Sequence, residues 1–114
     1  MEAIESTTRK RLFTNAEIQK RIVAVAEKLP NEELNKFLDR DHSNEIFGVR
    51  LPLFIRIKVT ATTEDKNTIK KDQKGYNRYT WKYEFSRAGY NYAIVNDWYP
   101  RHDKNVKKWL DENE

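Results

Sequence analysis

The chain has 114 residues, no cysteine and a formal net charge of +4, with 38% hydrophobic and 35% charged residues. This length supports one domain with one modest core. The lack of cysteine excludes disulfides, thiolate zinc sites and cysteine nucleophiles. No apolar run reaches the ~18 residues of a membrane span, and none follows a basic start as in a signal peptide. We therefore expect a cytoplasmic protein that does not enter a membrane.

The N-terminal third predicts an arm followed by two helices. Residues 1–13 are polar and lack periodicity, which is typical of a flexible arm, so a single domain is expected over 14–114. A capping box then opens a first helix over 15–29, which Pro30 ends. Asn31 caps a second helix over 31–39. The apolar residues at helical spacing in the two helices are Ile18, Ile22, Val25, Leu29, Leu34, Phe37 and Leu38.

A polar corner follows the second helix, from Asp39 to Ser43. Asp39, Asp41 and His42 are residue types that form acid/base or metal clusters, but a solvated loop after a helix has the same composition. No metal site and no cofactor is therefore predicted.

A strand with a basic outer face is predicted next. Every second residue from Leu51 to Val59 is apolar, and the alternate row carries Arg56 and Lys58. Successive side chains of a strand leave on opposite faces. The polar stretch 61–77 then predicts a long mobile or functional loop, which has room for a short strand near Thr68 and Ile69.

The most regular pattern is an aromatic hairpin. Alternate residues from Tyr79 to Phe85 are aromatic, which predicts a strand with these rings on one buried face. Ala88 and Gly89 supply a tight turn, and a second alternating run, 90–95, completes the hairpin. Pro100 ends the strand region, and His102 or Asp103 caps a last helix with Val106, Trp109 and Leu110 on one face.

This element order predicts an α+β domain in which N-terminal helices and a C-terminal helix pack on an antiparallel sheet of three, or possibly four, strands. In element order alone, the predicted fold resembles the double-stranded-RNA-binding domain. No residue motif accompanies this resemblance, so it implies no functional residues.

The positive charge is concentrated rather than spread. Residues 66–82 contain six basic residues and one acidic residue, whereas the rest of the chain has 16 basic and 17 acidic residues. Clustered lysines and arginines attract phosphates, and neighbouring tyrosines stack on bases. We therefore expect a nucleic-acid-binding module, for RNA or DNA, that uses the outer sheet face and the 61–77 loop. The predicted binding residues are Arg56, Lys58, Lys66, Lys70, Lys71, Lys74, Tyr76, Arg78 and Lys82.

Two other functions remain open from the sequence. Trp98, Tyr99 and Arg101 are residue types that anchor protein interfaces, which suits an inhibitor, an immunity protein or a small subunit of a complex. A metal-independent ribonuclease needs a base, an acid and a cation. The residues that would supply these roles are His102, Asp103, Arg101 and His42.

Overall fold

The computed structural model describes residues 11–114, which form an α+β domain with a three-stranded antiparallel sheet. No helix in this part of the chain is long and apolar enough to cross a membrane. The elements in chain order are α1 (Asn15–Ala26), α2 (Asn31–Lys36), α3 (Arg40–Phe47), β1 (Phe54–Lys58), α4 (Thr63–Ile69), β2 (Tyr79–Arg87), β3 (Tyr90–Val95), a 3₁₀ turn (Pro100–His102) and α5 (Asp103–Asn113).

The predicted capping box starts α1. The hydroxyl of Thr14 accepts a hydrogen bond from the Glu17 N–H at 3.1 Å, and the Glu17 carboxylate accepts one from the Thr14 N–H at 2.9 Å. The helix ends at Ala26, three residues earlier than predicted, because the N–H groups of residues 28 and 29 turn to the carbonyls three residues back. The apolar stripe of α1 packs against β2, β3 and α5.

The predicted polar corner is the start of helix α3. The carboxylate of Asp39 accepts a hydrogen bond from the His42 N–H at 2.7 Å and so caps this helix. Gly48 ends it at φ +79°, a conformation that favours glycine. Asp39 thus serves as a helix cap, and within residues 11–114 Asp39, Asp41 and His42 do not form a group placed to hold a metal ion.

The predicted loop 61–77 also contains a helix, α4. Thr62 and Asp65 form a second capping box at its start. Thr68 and Ile69, near which the sequence leaves room for a short strand, are instead the last residues of the helix. A tight turn around Gly75 then leads the chain back to β2.

The sheet has the order β1-β3-β2, so the second hairpin strand is central and pairs with both neighbours. Ala88 and Gly89 both adopt positive φ, +54° and +85°, which is the backbone of a type I′ turn. The residues of β3 from Tyr92 to Val95 are all buried, because both faces of the central strand are covered. The predicted hairpin is thus confirmed, and the sheet has three strands.

The aromatic face of β2 is not continuous. Thr80 pairs with Ile94 and Phe85 with Tyr92, so the four residues 81–84 stand opposite the single residue Ala93. This bulge therefore contains three more residues on β2 than on β3. Because three is an odd number, the side chains that follow the bulge point to the opposite face from the one that regular alternation would give. Tyr79 and Phe85 are therefore both buried but on opposite faces of the sheet, which corrects the prediction of one common face.

The predicted basic face of β1 is likewise interrupted. Phe54 and Arg56 lie on the same face, because they pair with Ile94 and Tyr92 of the central strand. Phe54 is buried against the rings of Phe85 and Tyr92, with ring centroids 5.6 and 6.2 Å away. The outer row of this strand is therefore partly core rather than a continuous basic surface.

An aromatic cluster joins the helices to the segment after β3. The ring of Phe47 meets Trp98 and Trp109 edge to face, at 5.8 and 5.3 Å. Trp98 also donates its indole N–H to the Val95 carbonyl at 2.9 Å. These contacts fix the path of residues 97–102.

Of the predicted arm over 1–13, residues 1–10 lie outside the described part of the chain, and Phe13 is buried.

Candidate functional site

A cleft of about 410 Å³ lies at the end of the sheet where β3 finishes. Three segments that are distant in sequence meet there: the residues after α3, the turn before β2, and the residues after β3. Its lining is Val49, Arg50, Leu51, Asp72, Arg78, Val95, Asp97, Tyr99, Arg101 and His102.

Arg78 ties two of these segments together. Its Nε donates to Asp72 Oδ2 at 2.9 Å, and its Nη1 donates to Asp97 Oδ2 at 2.8 Å. Both carboxylates raise the pKa of this guanidinium further above its ordinary value. The charge of Arg78 is therefore balanced inside the cleft, and its main effect is to hold the two walls in position.

Asp72 organises the turn that carries Tyr76. Its Oδ1 accepts hydrogen bonds from the N–H groups of Lys74 and Tyr76, both at 2.9 Å. Desolvation acts to raise the pKa of Asp72, but these N–H groups and Arg78 outweigh it and keep that pKa below its usual value. The carboxylate is ionised at neutral pH and keeps the turn ordered.

Arg50 and Arg101 provide the uncompensated positive charge of the cleft. Both are exposed, and no carboxylate of residues 11–114 lies within ion-pair distance of either. The Asn44 side chain donates to the Val49 carbonyl at 3.0 Å, which holds the backbone just before Arg50. These two guanidinium groups are consequently available to a negatively charged ligand.

The exposed ring of Tyr99 lines the cleft, and a second exposed ring, Tyr76, lies beside Arg78 of the lining. Tyr76 is 60% and Tyr99 is 45% exposed, and they are two of the four large apolar side chains that the described chain leaves exposed. Arg78 lies 5.4 Å from the centroid of the Tyr76 ring, and Arg101 lies 4.8 Å from that of Tyr99. The open ring faces are stacking surfaces next to positive charge.

His102 is buried behind this surface and is not arranged for acid–base catalysis. Its Nδ1 accepts a hydrogen bond from the Tyr99 N–H at 3.1 Å, while Nε2 is buried and has no hydrogen-bond partner among residues 11–114. Burial lowers the pKa of His102, and the nearby Arg101 guanidinium lowers it further. The imidazole is therefore neutral and has no exposed nitrogen for a substrate.

The other residues of the predicted ribonuclease site do not join His102. The carboxylate of Asp103 accepts two hydrogen bonds from Arg11 and one from the Leu12 N–H. His42 packs on the Phe37 ring, at a centroid distance of 4.9 Å. Only Arg101 of that set faces the cleft, so the described geometry contains no general-acid and general-base pair here.

The predicted nucleic-acid-binding residues divide into separate groups. Tyr76 and Arg78 are at the cleft, and Lys70, Lys71 and Lys74 belong to the segment that leads into it. Lys66 is instead paired with Glu84 at 2.7 Å. Arg56 and Lys58 lie on β1, and Lys82 lies within the bulge of β2. The predicted single basic face is therefore not assembled.

The predicted protein-binding cluster also divides. Trp98 is 2% exposed and belongs to the core, whereas Tyr99 and Arg101 remain at the cleft. Sequence reasoning missed Arg50, Asp72 and Asp97 as partners in one site. Their spacing carries no motif, and only the fold brings them together.

Residues 11–114 contain no group of three or more His, Asp and Glu side chains placed to hold a metal ion. Searches against protein-family models, curated proteins and solved structures find no match to this chain.

Proposed function

We propose that the protein binds single-stranded nucleic acid, RNA or DNA, in the cleft between the segment after α3 and the segment after β3. The observation that carries this proposal is the pair of exposed arginines, Arg50 and Arg101, without carboxylate partners in the described chain, with Arg101 beside the exposed ring of Tyr99. Lys70, Lys71 and Lys74 add positive charge in the segment that leads into the cleft.

Electrostatics favours a polyanion as the ligand. Phosphates bind lysine and arginine through Coulomb attraction and counterion release, with little demand on geometry. Arginine also presents a planar fork of donors that matches two phosphate oxygens. Because Arg78 is balanced by two aspartates, the attraction comes from Arg50, Arg101 and the neighbouring lysines.

The exposed rings favour an unpaired strand over a duplex. A base stacks on an aromatic ring only when its face is free, and each such contact contributes about 1–3 kcal/mol in single-strand-binding proteins. A volume of about 410 Å³ lies within the usual range of small-ligand pockets, so the cleft accommodates a unit the size of a nucleotide. The rest of the strand would follow the basic margin.

The test is fluorescence anisotropy with labelled single-stranded RNA and DNA 12-mers at low and at physiological salt. The double variant Arg50→Gln/Arg101→Gln is expected to bind at least tenfold more weakly. Its salt dependence, log K against log salt, is expected to be shallower by about 1.4, since each lost phosphate contact removes roughly 0.7.

The matched control is Lys20→Gln/Lys28→Gln, at two exposed lysines that do not line the cleft, which removes the same charge. It is expected to keep most of the affinity and the steeper salt dependence. If both double variants lose affinity equally, net charge and not the cleft governs binding. If the wild-type protein retains neither RNA nor DNA at low salt, the proposed function is wrong.

A further inference from the structure

Among residues 11–114, no strand pairs with the outer edge of β1 over its central residues. At the two ends of β1, backbone hydrogen bonds point toward β3. The Leu53 carbonyl accepts from the Val95 N–H at 2.9 Å, and the Val59 N–H donates to the Gly89 carbonyl at 3.0 Å. In an antiparallel ladder such bonding residues alternate with residues whose N–H and C=O point the other way. The backbone groups of Phe54, Arg56 and Lys58 therefore face away from the sheet.

Two of these outward groups are already used, and they mark the limits of the open edge. The Phe54 N–H donates to the Phe37 carbonyl at 3.1 Å, and the Lys58 carbonyl accepts from the Ala61 N–H at 2.9 Å. Four groups have no partner among residues 11–114: the Phe54 carbonyl, both backbone groups of Arg56, and the Lys58 N–H. In an added antiparallel strand, the residue opposite Arg56 would bond both backbone groups of Arg56. The residues two positions before and after it would bond the Lys58 N–H and the Phe54 carbonyl.

The two faces beside this edge differ in chemistry. On one face lie Arg56 and Lys58, both exposed, and Arg56 is held 4.1 Å above the centroid of the Tyr90 ring. On the other face lie Ile55 and Ile57, half-buried, followed by Val59, which is 48% exposed. Along the edge, basic and apolar side chains thus alternate, so one face beside the edge is positive and the other is apolar.

A second copy of this chain does not suit the edge. In an antiparallel pairing centred on Arg56, two Arg56 side chains would stand directly opposite each other on the same face. Like charges in opposed positions of a sheet are destabilising. Basic edge residues of this kind protect a sheet against pairing with itself.

We propose that the β1 edge binds an extended peptide segment of another protein that alternates acidic and β-branched apolar residues. Its acidic side chains would meet Arg56 and Lys58, its apolar side chains would cover Ile55 and Ile57, and its backbone would bond the four open groups. Such strand addition takes affinity from main-chain hydrogen bonds and specificity from alternate side chains. This surface is separate from the cleft and does not rest on its proposed function.

The test uses a fluorescein-labelled, end-capped heptapeptide of sequence Thr-Val-Glu-Val-Glu-Val-Thr, which presents both glutamates on one face in either strand direction. Three controls isolate the terms: the same peptide with lysines for glutamates, the same peptide N-methylated at both glutamates, and the charge-reversed double variant Arg56→Glu/Lys58→Glu. Binding is followed by anisotropy, and backbone amides are followed by NMR.

The wild-type protein is expected to bind the acidic peptide saturably and at least tenfold more tightly than the lysine peptide, with amide shifts at Arg56 and Lys58. The charge-reversed variant is expected to reverse this preference. N-methylation should abolish binding to the wild type while leaving the peptide charge unchanged. The cleft variant Arg50→Gln/Arg101→Gln should bind the peptide as the wild type does.

Three results would overturn the proposal. Equal binding of the N-methylated peptide would mean charge attraction without strand pairing. Amide shifts confined to residues outside β1 would place the peptide elsewhere. Concentration-dependent dimerisation of the wild-type protein through β1 would identify a second copy as the occupant.

Discussion

The Arg11 guanidinium lies 3.1 Å from Asp103 Oδ1 and so joins two residues that are 92 positions apart. The second carboxylate oxygen of Asp103 also accepts from the Leu12 N–H at 2.8 Å. This pair fastens the segment before α1 to the first residue of α5. Because Asp103 is almost fully buried, Arg11 and the Leu12 N–H supply the hydrogen bonds that water would otherwise make to its carboxylate.

Removing the charge of Asp103 should destabilise the domain. Asp103→Asn removes charge-assisted hydrogen bonds to Arg11, and bonds of this kind contribute about 1.5–3 kcal/mol. We expect the free energy of unfolding in urea to fall by about 2 kcal/mol. The control is Asp111→Asn on the same helix, which breaks an exposed pair with Lys107. That variant should change stability by less than about 0.5 kcal/mol, and an equal loss in both would contradict the assignment.

The hairpin turn should be open to stabilisation at Ala88. Its φ of +54° is unfavourable for alanine, whereas asparagine and glycine adopt it readily. Ala88→Asn should raise the melting temperature, with a gain of about 0.5–1 kcal/mol. Gly89→Ala is the converse change: a Cβ there would meet no atom of the described residues within 4 Å, so any loss of stability reports the backbone alone. A gain at Gly89 would exclude the type I′ turn.

Stability should fall as the pH drops below about 6.5, the ordinary pKa of histidine. The pKa of His102 is lowered in the folded protein, so between the two pKa values the unfolded chain binds a proton that the folded chain does not. The slope from this residue has a ceiling of about 1.4 kcal/mol per pH unit. Thermal unfolding between pH 5 and 8 measures it.

The comparison variant for this pH effect is His102→Asn, whose side-chain amide keeps a polar atom near Nδ1 but does not titrate. Its stability should vary less with pH over that range than that of the wild type. His42→Asn, at the half-buried histidine beside Phe37, should leave the dependence in place. If His42→Asn removes the dependence instead, burial of His102 is not its source.

If the cleft binds single strands, the ring of Tyr99 should matter more than its hydroxyl. Tyr99→Ala should weaken binding of a labelled RNA or DNA 12-mer by about five- to a hundredfold, the range of one lost stacking contact. Tyr99→Phe should bind nearly as the wild type does. Val59→Ala removes a similarly exposed apolar side chain at the opposite end of the sheet and should have no effect. Equal losses for Tyr99→Ala and Val59→Ala would argue against stacking at the cleft.

Local patterns allowed most of the fold to be predicted. The Thr14 capping box and the turn at Ala88-Gly89 each rest on residues adjacent in sequence, and both are present, whereas the first helix already ends at Ala26, before Pro30. Helix α3 carried a readable signal that was missed, since Asp39 and Gly48 stand at its two ends as a cap and a left-handed terminus. The capping box of Thr62 and Asp65 likewise marked α4.

The site was less accessible to sequence reasoning, because its members meet only through tertiary structure. Arg78 belongs to a dense basic stretch, and nothing local shows that Asp72 and Asp97 balance its charge. The residue type of Trp98 is typical of interfaces, but the sequence around it does not show whether the ring faces solvent or the core. Only the fold shows that the Trp98 side chain is buried.

The bulge between Thr80 and Phe85 also indicates where the length of this chain can vary. Side chains in paired positions of a sheet share a face, so Phe85 enters the layer of Phe54 and Tyr92 because it pairs with Tyr92. The number of residues between Thr80 and Phe85 does not change that face while both pairs remain. Related chains are therefore expected to gain or lose residues at 81–84 more readily than elsewhere in β2.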